Sequence, residues 1–78
     1  MSEITIRQAR QEDARAIARL AELDESSVPS GDALLAFVDG RLAVARSLSR
    51  GETVADPFIR TRDAIALLDL RARQRAAA

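Results

Sequence analysis

The sequence predicts an α/β protein of the α+β kind, with a four-stranded, mainly antiparallel sheet and two helices in the order β-α-β-β-β-α. Three observations lead there. Apolar runs flank Asp39 and Gly40, the dipeptide best suited to a two-residue hairpin turn. Two longer stretches, 11–24 and 61–74, carry apolar residues at helical spacing. Alternation near the N-terminus and a short segment between Gly51 and Asp56-Pro57 supply the remaining strands. All of this fits one small domain over 1–78, a size at which a single core offsets chain entropy only narrowly.

Strand 3–7, Glu-Ile-Thr-Ile-Arg, alternates, so Ile4 and Ile6 fall on one face. Helix 11–24 gathers Ala14, Ile17, Leu20, Ala21 and Leu23 on one half of its wheel and Glu12, Arg15, Arg19 and Glu22 on the other. Glu12 and Asp13 suit the positive end of its dipole, although no Ser, Thr or Asn precedes them as a cap. Residues 24–32 cluster Ser, Pro, Gly and acids as a surface loop does. Its carboxylates, Asp24, Glu25 and Asp32, lack the ligand spacing of a calcium or magnesium site and read as a solvated helix exit.

Strand 33–38 is apolar at every position, which requires cover on both faces and a central place in the sheet. Strand 41–48 resumes alternation through Leu42, Val44 and Leu48. A turn at Ser49, Arg50 and Gly51 leads to strand 52–55, so these strands form a meander whose last member leaves an open edge. Helix 61–74 begins at Thr61, a cap residue, with Asp63 in its first turn and Arg71, Arg73 and Arg75 near its negative end. Ile65, Leu68 and Ala72 make one apolar strip for the sheet. Leu67 and Leu70 are left over on another side and, with Val54 on the edge strand, are the candidate interface residues.

Composition narrows the function. Twelve basic and twelve acidic side chains balance, which argues against a nucleic-acid or membrane partner. Every basic residue is Arg, as a GC-rich genome would encode. Cys and His are absent, which removes thiolate chemistry, an imidazole base and the common zinc ligands. Ser26, Ser27, Ser30, Ser47 and Ser49 have no base of suitable type nearby in sequence, so no catalytic residue and no metal site are assigned. No signal peptide or membrane-length apolar run is present, and a cytoplasmic location is expected.

Three stretches carry a resemblance. The opening Ile-Arg-Gln-Ala-Arg-Gln-Glu-Asp-Ala, residues 6–14, matches the pattern I-R-x-A-x-x-x-D-A through Arg7, Ala9, Asp13 and Ala14. Ala-Phe-Val-Asp-Gly-Arg-Leu-Ala, residues 36–43, is similar to two strands joined by a D-G turn. After Asp56-Pro57, Arg60 to Ile65 falls where a loop of the form Q/R-x-x-G-x-G/A would stand. In this order the stretches resemble the N-terminal half of the GNAT (GCN5-related) acetyltransferases. The resemblance implies that residues 60–65, Arg60, Thr61, Arg62, Asp63, Ala64 and Ile65, correspond to the loop that binds the pyrophosphate of acetyl-CoA.

The glycines of that loop are replaced. Arg60 takes the Q/R place, Asp63 the first glycine and Ile65 the second small residue, while Thr61 stands where many members have one more glycine. A phosphate held by backbone N–H groups needs close approach to the backbone. A carboxylate a few ångströms from it costs on the order of 1 to 4 kcal/mol. Thr61 and Asp63 are expected to cap the helix themselves and so occupy those amides. The family's fifth strand has no counterpart here, and neither does its general-acid tyrosine. The expectation is a non-catalytic GNAT-like module for protein interaction or self-association as a homodimer, without cofactor. An acyl-CoA binder or N-acyltransferase completed by a second subunit is the alternative.

Overall fold

The computed structural model describes residues 3–77, and they adopt the expected α+β architecture in the expected element order. Strands β1 (Ile4–Gln8), β2 (Ala33–Val38), β3 (Arg41–Ser47) and β4 (Thr53–Ala55) lie side by side as β1-β2-β3-β4. Every pairing is antiparallel. Helix α1 (Ala14–Leu23) rests on β3 and β4, and α2 (Arg62–Ala77) on β2 and β3. The period of the strands decides which helix each residue meets. Leu34, Ala36 and Val38 of β2 join Ala64 and Leu68 of α2, with Ile4 and Ile6 beside them. Leu35 and Phe37 join Ile17 and Leu20 of α1 on the opposite face. The wholly apolar β2 is therefore central and covered twice, as its composition requires.

The β2–β3 turn has positive φ at both central residues, Asp39 at 50° and Gly40 at 83°, and register partners Val38 and Arg41 close it. Those are the angles of a type I′ turn. Alternation along β3 does not run as expected. Ala36 pairs with Val44 but Phe37 with Leu42, so Ala43 is an extra residue in a β-bulge. Leu42 consequently faces α1 while Val44 and Leu48 face α2, instead of all three sharing a side. A small residue fits there: Ala43 is fully buried, and its carbonyl accepts the N–H of Asp56 at 2.8 Å.

The first helix is also modified at both ends. Gln11–Asp13 forms a 3-10 turn before α1, closed by the Asp13 N–H donating to the Arg10 carbonyl at 2.9 Å. Asp13 answers with its carboxylate, which accepts the Arg10 N–H at 2.7 Å, so the missing Ser or Thr cap is replaced from inside the turn. At the other end Ser26 N–H reaches the Ala21 carbonyl and Glu25 N–H the Glu22 carbonyl, with Glu25 at φ 54°. This is a Schellman ending with a non-glycine residue in its left-handed position. Only Ile17, Leu20 and Ala21 of the expected apolar half are buried, whereas Ala14 and Leu23 are exposed. They stand at the first and last positions of the helix, and its middle turns make the contact with the sheet.

Candidate functional site

The start of α2 is the first place to look for binding. Pro57 ends the β4 segment, and the Asp56 carboxylate accepts the Phe58 N–H at 2.8 Å, which folds the Asp-Pro-Phe connection into an Asx turn. The helix then opens with the Ile65 N–H donating to the Thr61 carbonyl at 2.8 Å, which makes Thr61 the cap position. Arg60, Thr61, Arg62 and Asp63 line an open cleft of about 560 Å³.

Two expectations about this loop are corrected. Among the described residues, neither the Thr61 hydroxyl nor the Asp63 carboxylate hydrogen-bonds to a backbone N–H, so self-capping does not fill the helix start. The first-turn amides of Arg62, Asp63 and Ala64 precede the first intrahelical bond. Ile65 likewise does not crowd the cleft. Its side chain packs against the α2-side core, and Ala64 is buried there too. What remains unlike a phosphate cradle is Asp63, an exposed carboxylate that makes no ion pair with Arg60 or Arg62 among the described residues.

The second candidate is the outer side of α2. Ile65, Leu68 and Ala72 face the sheet as their spacing indicates, and Ala64 joins them. Leu67 and Leu70 are 42 % and 46 % exposed, so among the described residues neither a loop nor α1 covers them. Phe58, which sequence reasoning passed over, is 82 % exposed on the connection into the same helix. Its position after Asp-Pro was the available signal, because a turn tip turns its side chains outward. Val54 does not belong with these residues. It is 3 % exposed and packs with Ile17, Leu20, Leu35 and Ala45 beneath α1, which removes its side chain from any interface.

The strand order gives the sheet two open edges, β4 as expected and β1, which the sequence reading did not identify. On β1, Asp39 N–H donates to the Glu3 carbonyl and Ala9 N–H to the Ala33 carbonyl, both at 2.8 Å. The odd-numbered residues thus bond to β2, and the main-chain groups of Ile4 and Ile6 point away from the sheet.

Beside β1 sits the strongest ion pair of the described residues. Arg7 NH1 and NH2 donate to Asp13 Oδ2 and Oδ1 at 2.8 and 2.9 Å. The Arg7 guanidinium also lies 4.9 Å above the Phe37 ring. Its two hydrogen bonds, then that of the Arg10 amide, hold the Asp13 carboxyl down at about 2. Arg7 and Asp13 therefore form a strand-to-helix clamp.

Ser30 and Ser47 tie the loop before β2 to the β3–β4 turn. Ser47 is fully buried, donates to the Ser30 carbonyl at 2.8 Å and accepts the Arg50 N–H at 3.2 Å. Glu52 Oε1 accepts both the N–H and the hydroxyl of Ser30 at 2.8 Å, and these bonds lower its carboxyl from the ordinary value. The cluster ties residues 28–32 to the β3–β4 turn. No group of three or more His, Cys, Asp or Glu among the described residues is placed to hold a metal ion, and no described helix is long and apolar enough to cross a membrane. No family model, curated protein or solved structure matches the chain.

Proposed function

We propose that this chain is a small, non-catalytic module for protein interaction or self-association, GNAT-like in the order of its elements. One observation carries the reading: Leu67 and Leu70 stand 42 % and 46 % exposed on a helix that packs Ala64, Ile65, Leu68 and Ala72 against the core. A pair of leucines one helical turn apart is an anchor for a complementary surface, and at this size a partner also adds to a narrow stability margin. The open edges of β1 and β4 offer main-chain pairing as a second mode of contact. The absence of His, Cys and Tyr from the sequence agrees with a role other than acyl transfer. Light scattering on the purified protein, alone and then with candidate partner proteins, tests the reading. A dimer or a defined complex is the expected result. A strict monomer at millimolar concentration that captures no partner overturns it.

A second reading is favoured by the uncapped start of α2 and the flanking Arg60 and Arg62. There, first-turn amides and guanidinium groups would meet the pyrophosphate of an acyl-CoA, with a second subunit completing the site. Asp63 opposes it by placing a negative charge at the same helix start. Calorimetry with acetyl-CoA and coenzyme A separates the readings. No saturable heat is expected, and a saturable one transfers the conclusion to the acyl-CoA reading.

A further inference from the structure

The main-chain N–H and C=O groups of Ile4 and Ile6 face outward with no hydrogen-bond partner among the described residues. The side chains of both isoleucines are only half-buried. An edge in this state is a template for another strand, and the residues along it determine which strand fits. Written against itself in the antiparallel sense, Glu3-Ile4-Thr5-Ile6-Arg7 is self-complementary. Glu3 meets Arg7, Ile4 meets Ile6, Thr5 meets Thr5, and the remaining two pairs repeat by symmetry. Opposite charges, branched apolar pairs and paired threonines are each favourable across antiparallel strands.

We infer that the β1 edge docks the β1 edge of a second copy of this chain, with Glu3 of each copy facing Arg7 of the other. The inference rests on the self-association arm of the proposed function and gives it a place. The hydrogen-bonding parity agrees with it. Glu3, Arg7 and Ala9 spend their main-chain groups on β2, while Ile4 can exchange both of its bonds with the second copy's Ile6. The Glu3 carboxylate makes no ion pair within one chain among the described residues. Arg7 uses NH1 and NH2 on Asp13 and retains the donor on Nε, since guanidinium has five.

A two-fold axis through Thr5 makes the contact isologous and closed, so it ends at a dimer. The joined sheet keeps both copies of α2 on one face, beside Ile4 and Ile6, and each α2 already reaches β1 through Arg75 NH2 and Gln8 Oε1 at 3.1 Å. The β4 edge is a poorer site for a second copy. Pairing it with itself, Thr53 against Ala55, sets Glu52 opposite Asp56, and the strand is only three residues long.

Thr5 is exposed and lies on the axis in a non-hydrogen-bonded pair, where Cα atoms stand about 4.5 Å apart, within the range of a disulfide. The chain has no cysteine, so Thr5→Cys adds a single thiol. Under oxidised glutathione this variant should become a covalent dimer, while Leu70→Cys should not. Glu3→Arg, at an exposed position, should weaken the dimer about tenfold by setting arginine against Arg7, with the monomer's melting temperature unchanged. Light scattering of the parent reads the same equilibrium. A dimer linked by Leu70→Cys and not by Thr5→Cys overturns the β1 inference and leaves self-association standing on α2. A mass growing beyond dimer points to head-to-tail pairing of β1 with β4 and also overturns it. A parent that stays monomeric while binding another protein removes this inference but not the interaction reading.

Discussion

Arg7 on β1 holds Asp13, six residues later in the 3-10 turn, by two parallel hydrogen bonds of 2.8 and 2.9 Å. The pair fixes the angle at which the chain leaves the sheet for α1, because Asp13 simultaneously bonds the Arg10 amide at 2.7 Å. Three donors on one carboxylate stabilise its charged form.

The clamp makes stability depend on pH with a definite sign. The folded-state value of Asp13, about 2, lies below that of an unfolded aspartate, so the unfolded chain binds more protons as pH falls. The contribution is complete above the unfolded value, near 4, and disappears as pH drops through about 2. Asp13→Asn should cost on the order of 2 kcal/mol at neutral pH and flatten the acid limb of stability. Urea melts of parent and variant between neutral and strongly acidic pH check this. Parallel curves would mean that other carboxylates set the acid limb.

Gly40 has φ 83° with open space around its missing Cβ, so the constraint on it is conformational and not steric. Gly40→Val should destabilise by about 1 to 2 kcal/mol, the cost of a side chain in a left-handed backbone region. A melting temperature equal to the parent's would contradict the type I′ turn.

Arg46 illustrates a cost within the core region. Its Nε lies 3.4 Å from Asp69 Oδ1, a charge contact without hydrogen-bond alignment, and Nε and NH1 are shielded from solvent without a hydrogen-bond partner among the described residues. Arg46→Met keeps most of the packing volume and removes the unsatisfied donors. It should raise stability by about 1 kcal/mol in denaturant melts, and a comparable loss would assign the Asp69 contact a larger worth than its geometry supports.

Leu67→Glu combined with Leu70→Glu should leave a folded protein with nearly the parent's melting temperature, since both side chains already meet solvent. Circular dichroism during heating tests this. Unfolding of the double variant would place the leucines in the core of one chain and withdraw them as an interaction surface.

Much of the fold was legible in local pattern. The apolar run Ala33–Val38 requires two covered faces, Asp39-Gly40 sets the hairpin, and the spacing of Ile65, Leu68 and Ala72 selects the face of α2 that packs. Leu67 and Leu70 could be singled out as surplus for the same reason. The absence of Cys and His excluded whole classes of chemistry without any coordinates.

Tertiary structure decided the rest, because each remaining feature depends on residues far apart in the chain. The bulge at Ala43 reverses the side on which Leu42 points, and only pairing with Ala36 and Phe37 reveals the extra residue. Val54, a residue of an edge strand, is buried because α1 returns over it, so being at an edge in the sheet did not mean being exposed. Thr61 and Asp63 have the chemistry of caps, but capping also depends on backbone geometry, and their side chains leave the amides uncapped. The free edge of β1 follows from strand order, which no local pattern near residues 4–8 contains. The self-complementary order of Glu3 to Arg7 was present in the sequence throughout. It acquired meaning only when the fold left that strand without a second neighbour, since side-chain complementarity acts only between strands whose main-chain groups are free to pair.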